Sequence, residues 1–319
     1  MTISKDDKKL SNKTAIDQLL ENSKDGWWPY RPGRSPSLEP TVWAAIAVKD
    51  VDKKLASKTL ENLLASQKSD GGWSTDPNFK ESDWTTQLAL IALHTLKPLA
   101  SDQSAKKLEQ AYTKGLDLIM SMRTDMITDM TRILMTVVSG PDFDYPRGWP
   151  WEKGNAHWVE PTAYAVLAFK LASRGEEKRY RGALKSADEY LLSKACNPAG
   201  WNYGSPKEFS GYEPPAPYAT TWALIALQTD PNNTVVKNSL DYLRKTTESH
   251  ISIATNAQAI IARSLYGDDT TEAAKRLADR LDEERNSDTL TLSSVALAAI
   301  AMSATPDSNP LKISKANRA

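Results

Sequence analysis

A single cysteine, Cys196, is the only thiol in a chain of 319 residues. It excludes an internal disulfide and suits a reducing compartment better than an oxidising one. Charge of one sign is missing too, because 40 basic residues cancel 40 acidic ones. With no block of like charge long enough to follow a phosphate backbone, nucleic acid is not an expected partner. No stretch approaches the roughly 20 apolar residues of a membrane span, and the start, "MTISKDDKKLSNKTAID", has no apolar core of signal-peptide type. These absences predict a soluble, cytoplasmic protein and leave peripheral membrane contact open. The histidines His94, His157 and His250 show no metal-ligand spacing with one another or with Cys196. Neither a metal nor a cofactor is expected.

What the chain has in abundance is repetition. Four segments share one pattern: "GWWPYRPGRSPSLEPTVWAAIAV", "GGWSTDPNFKESDWTTQLALIAL", "GWPWEKGNAHWVEPTAYAVLAF" and "GWNYGSPKEFSGYEPPAPYATTWALIAL". Each gives Gly-Trp, a polar loop, and then a threonine (Thr41, Thr86, Thr162, Thr220) that opens an Ala/Leu/Ile-rich run. Such runs, apolar nearly all round and far richer in Ala and Leu than in Val or Thr, predict buried helices. Between them lie amphipathic stretches such as "VDKKLASKTLENLLASQ" and "SAKKLEQAYTKGLDLIMSM", which suit helices with one wet face. Alternation of the two kinds predicts an all-α fold, an α/α toroid of about six helical hairpins with the apolar helices inside. Residues 14–304 form the toroid in this reading, 1–13 a polar N-terminal segment and 305–319 a flexible tail. One place resists: "TDMTRILMTVVSG" reads as an inner helix without a Gly-Trp loop, which leaves the run from Thr162 without an outer partner.

The Gly-Trp loops, above all "LLASQKSDGGWS", resemble the QW-type repeats of squalene and oxidosqualene cyclases and the repeats of protein prenyltransferase β subunits. In its pattern "GWPW…WVEPTA…GWNYG" the chain is similar to bacterial single-domain prenyltransferase or squalene oxidase repeat proteins. The resemblance spans about residues 14–304 and implies the toroid. It offers two chemistries. Prenyltransferases hold zinc through a D-x-C step and a Y-H-T step; here those steps read Asp83-Trp84-Thr85 and Tyr218-Ala219-Thr220, without thiolate or imidazole, and zinc needs about three protein ligands. Class II terpene cyclases protonate an alkene or epoxide with an acid of a D-x-D-D-T motif, which this chain lacks. "YGDDTTEAAKRL" puts Asp268, Asp269 and Thr270 at the start of a charged helix, where they suit capping.

The offset that the cyclase acid holds to its threonine is met by Glu39 in "LEPT" and Glu160 in "VEPT". A carboxylate and a proline also make a good helix start with no function. Around Glu160 stand Trp149, Trp151, His157 and Trp158, with His157 placed to hold or relay its proton. The aromatic residues two positions after the threonines, Trp43, Tyr164 and Trp222, are the candidate cavity walls, where ring faces would stabilise positive charge; core packing is the alternative. The tryptophans Trp73 and Trp201 are assigned to structure. Asp142 and Asp144 in "GPDFDYPRGWPW" either share a proton or bind a divalent ion with a diphosphate at the same end, or are merely solvated. Arg31 and Arg34 make either a cationic clamp or a wet loop.

Three functions follow from these residues. The first is a toroid that binds an isoprenoid or other long apolar molecule and cyclises or isomerises it with Glu160 or Glu39 as acid. The second is a lipid-binding or scaffold protein without chemistry. The third is a carbohydrate-active enzyme, with Glu39 and Glu160, or Asp83 and either, as a carboxylate pair in an aromatic-lined cleft. An apolar cavity would favour the first two, and an open polar groove the third.

Overall fold

The computed structural model describes residues 5–123, 146–172, 177–204, 214–246, 252–285 and 287–314, with positions 134, 137 and 138. Among them are twelve α-helices of two kinds. The apolar runs give α2 (Leu38–Val48), α4 (Thr85–Leu96), α6 (Val159–Ala172), α8 (Pro217–Ala226), α10 (Ile253–Leu265) and α12 (Leu292–Ser303). The charge-rich stretches give α1 (Lys5–Glu21), α3 (Lys53–Ser66), α5 (Asp102–Met122), α7 (Glu177–Ser193), α9 (Thr234–Thr246) and α11 (Thr271–Glu283). Each even-numbered helix packs on the next, and α12 returns to α2, so these six close a ring. The odd-numbered helices pack outside it. The fold is an α/α toroid. Leu88, Leu90, Ile91 and Leu93 on α4 are all fully buried, and each such side chain contributes about 1.5–3 kcal/mol.

One clasp recurs at four junctions. The backbone N–H of Trp28, Trp73, Trp149 and Trp201 donates to the hydroxyl of Thr41, Thr86, Thr162 and Thr220, at 2.9, 3.0, 2.8 and 2.9 Å. The indole N–H of the same tryptophan donates to a last-turn carbonyl of the preceding outer helix, Leu19, Leu63, Ile119 or Leu191, at 2.7, 2.8, 2.8 and 2.6 Å. One tryptophan thus satisfies an orphan carbonyl at the end of an outer helix with its indole and fixes the start of the next inner one with its backbone N–H. Glycine precedes three of these tryptophans for want of space. A Cβ on Gly148 would meet the Thr162 hydroxyl at 2.2 Å, and Gly200 combines a φ of +82° with Pro215 at 2.5 Å.

Several expectations are corrected by this arrangement. In the first repeat the clasp is made by Trp28, while the residue after glycine, Trp27, is only partly buried. Trp149, read as a candidate wall, is a clasp residue at 0% exposure. The missing outer partner of α6 is α5, whose Ile119 receives the Trp149 indole. "TDMTRILMTVVSG" lies mostly outside the described residues, and its described positions Leu134, Val137 and Val138 are exposed, unlike an inner helix. Residues 5–13, placed in a polar leading segment, belong to α1.

The expected tail is docked as far as it is described. Leu311 and Ile313 are buried, with Gln228 donating to the Leu311 carbonyl at 3.0 Å and accepting from the Ile313 N–H at 2.9 Å. No helix among the described residues is long and apolar enough to cross a membrane.

Thr86→Val keeps the shape of the side chain but leaves the buried Trp73 N–H without an acceptor. It should cost about 1–3 kcal/mol in urea unfolding, whereas Thr86→Ser should lose much less.

Candidate functional site at the mouth of the ring

Four clasps, with the caps of α10 and α12, set the inner helices to a common height. Thr41, Thr220, Asn256 and Val295 each donate a backbone N–H to the cap residue four positions back: Ser37, Ala216, Ser252 and Thr291. Two residues before these positions, and before Thr86 and Thr162, stand Glu39, Trp84, Glu160, Tyr218, Ala254 and Ser293. One turn deeper stand Trp43, Leu88, Tyr164, Trp222, Gln258 and Leu297. The deeper layer faces the axis. Helices α2 and α8 lie opposite each other in the ring, yet the rings of Trp43 and Trp222 are 5.8 Å apart. Tyr164 stands 4.5 Å from Trp222 and 6.0 Å from Trp84, which is itself 5.3 Å from Trp151. Trp43, Tyr164 and Trp222 are 1%, 3% and 1% exposed. They pack on one another as a floor to the mouth, where the sequence suggested the walls of a deeper chamber.

Above this floor is Glu160, 8% exposed on a helix buried at every position. Its Oε1 accepts from the hydroxyls of Tyr164, at 3.1 Å, and Tyr218. Those hydroxyls are 3.2 Å apart. Burial pushes its pKa from the ordinary 4.5 up to about 7, the tyrosine bonds pull it down, and the charge of Glu39 pushes it further up. Its place in the first turn of α6 favours the anion, and burial outweighs that. Both tyrosines use Oε1, which leaves Oε2 as the oxygen to carry the proton.

Glu39 holds the equivalent place on α2. It accepts from Tyr30 at 2.5 Å, and burial raises its pKa as well. Tyr30, Tyr164 and Tyr218 are all shifted upward, first by burial and then by neighbouring charge. They act as hydrogen-bond donors at neutral pH. The carboxyls of α2 and α6 thus sense each other across the mouth, each on its own tyrosine support.

The other candidates sit apart from this pair. His157 lies on a short hairpin that pairs Trp149–Pro150 (β1) with His157–Trp158 (β2). Its ring stands edge-on to Tyr190, and its carbonyl accepts from the Tyr190 hydroxyl at 2.8 Å. The groups that act on Glu160 are Tyr218, Tyr164 and Glu39, so the tyrosines take the place expected of His157. Trp151 reaches the rim against Trp84, while Trp158 is half-buried and gives its carbonyl to Thr162 at 2.6 Å.

Asp83 is spent on the start of α4, accepting from the N–H and hydroxyl of Thr85 and from Thr75 N–H. Arg31 and Arg34 are exposed, Asp268 is paired with Arg244 and Arg263, and Asp269 accepts from Thr271 N–H. Asp142 and Asp144 lie outside the described residues. Among the described residues no cluster of three or more His, Cys, Asp or Glu is placed to hold a metal ion. Tyr218 was missed, although it stands two residues before Thr220, the same offset that singled out both glutamates.

An open cavity of about 740 Å³ adjoins the mouth at Trp151 and runs over the loop before α4, past Phe79, Lys80, Ser82, Asp83 and Glu152. Its wall mixes aromatic, charged and hydroxyl groups.

No protein-family model and no curated protein matches the chain. Solved structures do. A protein from Actinoplanes is similar at 14% identity and a TM-score of 0.60, with 92% of this chain and 98% of that one covered. A reducing end xylose-releasing exo-oligoxylanase is similar at 10% identity and TM-score 0.54, covering 98% and 94%. A variant of the type II terpene cyclase MstE from Scytonema, in complex with geranylgeranyl dihydroxybenzoate, is similar at 14% identity and TM-score 0.54, covering 96% of each chain. At these identities the likeness establishes a terpene cyclase-like toroid fold, shared with a carbohydrate-acting enzyme, and leaves the chemistry to the site.

Folded Glu160 keeps its proton up to about pH 7, while an unfolded carboxyl releases it near 4.5. The folded state therefore binds more protons in that window. Stability should fall as pH rises through it, by on the order of 3 kcal/mol for this group, and level off above. Glu160→Gln should flatten that slope in urea titrations from pH 4 to 8, leaving the shares of two other carboxyls, Glu39 and Asp188, whose pKa values burial also raises.

Proposed function

We propose that the protein is an acid–base enzyme that cleaves a glycosidic bond at the mouth of the toroid. The observation that carries this reading is the pair of carboxyls at one mouth, Glu160 held by Tyr164 and Tyr218 and raised to about 7, Glu39 held by Tyr30 and raised by burial. Two carboxyls whose environments push their pKa values apart divide into an acid and a base. Glu160 Oε2 gives its proton to the glycosidic oxygen as the bond to the anomeric carbon breaks, and the alcohol leaves. Glu39, as the carboxylate, either takes a proton from the water that attacks the anomeric carbon or attacks that carbon itself before water releases the sugar. In either case one water is consumed and Glu160 regains or exchanges its proton. In this reading the face of Trp84 at the rim stabilises the positive charge that develops on the sugar ring, and the polar cavity beyond Trp151 takes the rest of the chain.

The acid strength favours this over alkene protonation. A carboxyl with a pKa near 7 is matched to an oxygen leaving group at neutral pH, whereas an alkene carbon is a far weaker base and demands a stronger acid. The filled axis also gives a long hydrocarbon little depth. A second reading, an apolar isoprenoid or lipid ligand, is favoured by the contacts among Trp43, Trp84, Trp151, Tyr164 and Trp222.

The test is incubation with reducing-end-labelled xylo-, cello- and malto-oligosaccharides. Hydrolysis is expected, with activity falling above about pH 7 and dropping roughly 10²–10⁴-fold in Glu160→Gln. No cleavage of any oligosaccharide, with tryptophan fluorescence quenched by geranylgeraniol, would transfer the site to the second reading.

A further inference from the structure

We infer that the α8–α10–α12 side of the mouth is a recognition site for the hydroxyl groups of a neutral ligand, built from Trp222, Gln258 and Ser293. These side chains are 1%, 4% and 4% exposed, and the Trp222 Nε1, Gln258 Oε1 and Ser293 Oγ have no hydrogen-bond partner in the structure. Buried polar atoms are nearly always paired, and an orphan costs stability, so each needs an account. Neighbouring orphans have a local one: Asn256 holds the clasp position of α10, which no Gly-Trp step precedes, and Gln87 lies one residue past the clasp threonine of α4. The other three have none, and helix register brings them together. Trp222 and Gln258 share the floor layer on adjacent helices, and Ser293 stands in the layer of Glu39, Tyr218 and Glu160.

Their chemistry defines the ligand. The indole N–H only donates, the amide oxygen only accepts and the serine hydroxyl does either. A sugar hydroxyl, which donates and accepts, completes all three, and a hydrocarbon completes none. An anion is disfavoured by Glu39 and Glu160 at the same mouth, with no basic side chain among the groups that act on Glu160. Trp84, half-buried at the rim, offers a ring face on the opposite side.

The inference rests on the glycosidase reading for its substrate class, so binding is measured with catalysis removed. In the Glu160→Gln protein, calorimetric titration with xylotriose, cellotriose and maltotriose should detect binding of at least one. Trp222→Phe and Gln258→Leu should each weaken that binding about tenfold or more. The melting temperature of the free Gln258→Leu protein should stay level or rise, since that variant removes an orphan at nearly constant volume, while Trp222→Phe also opens a cavity and is read by binding alone. The proposal is overturned if no trisaccharide binds, if both variants bind as the parent does, or if Gln258→Leu lowers the melting temperature, which would mark that group as structural. Binding that responds to the variants while the native protein hydrolyses nothing would leave the recognition site standing and sink only the catalytic reading.

Discussion

A backbone N–H of a buried tryptophan given to a threonine hydroxyl is the bond on which this architecture depends. It is made four times with nearly the same length. Because the same indole also ends the preceding helix, the clasp couples where an outer helix stops to where the next inner helix starts. The inner helices therefore enter the ring at one height. Side chains at equal offsets from the clasp become neighbours around the axis. Glu39, Trp84, Glu160 and Tyr218 share a rim for this reason, although their separations along the chain differ.

Helix α6 shows how burial sorts charge. Every residue of it is buried, among them one carboxyl, Glu160, and one amine, Lys170. Lys170 is met from the outer layer, with its ammonium on Asp188 at 2.9 and 3.0 Å, on the Ala226 carbonyl at 3.1 Å and on Thr229 at 3.2 Å. That group is a fully satisfied tie between helices. Glu160, at the other end, receives neutral hydroxyls and a second carboxyl. The fold spends a counter-ion on one and withholds it from the other. A buried carboxyl treated this way keeps its proton into the neutral range, which is the behaviour of a working acid more than of a brace.

Much of the fold was legible because its periodicities are long and its two helix types differ in composition. The inner runs are apolar all round and the outer ones are not, and a closed ring is the arrangement that hides the first kind. The exceptions have local causes. "GWW" offers two tryptophans, and only the turn geometry at Gly26 decides that Trp28 enters the core. The stretch after α5 has helical composition, but the ring already has its member in α6. The docking of 305–314 depends on Gln228, a residue that nothing in a linear pattern marks. At the site, the offset from threonine found Glu39 and Glu160, but it was applied to carboxylates alone and so passed over Tyr218. His157 drew attention by proximity along the chain, and the hairpin turns its ring to Tyr190. The unpartnered atoms of Gln258 and Ser293 could not be read at all, since satisfaction is a property of neighbours in space.

Closure of the ring joins α2 to α12 across nearly the whole chain, with α1 packed against both. During synthesis the flank of α2 that will meet α12 emerges early and has no cover until the last inner helix leaves the ribosome. Contacts of such high sequence separation are slow to form, and an apolar flank left waiting invites association between nascent chains. Helix α1, made before α2 and seated at the seam, is placed to shield part of that flank in the interval. The seam is thus where the completed molecule is last to become a barrel and where its folding is most exposed to error.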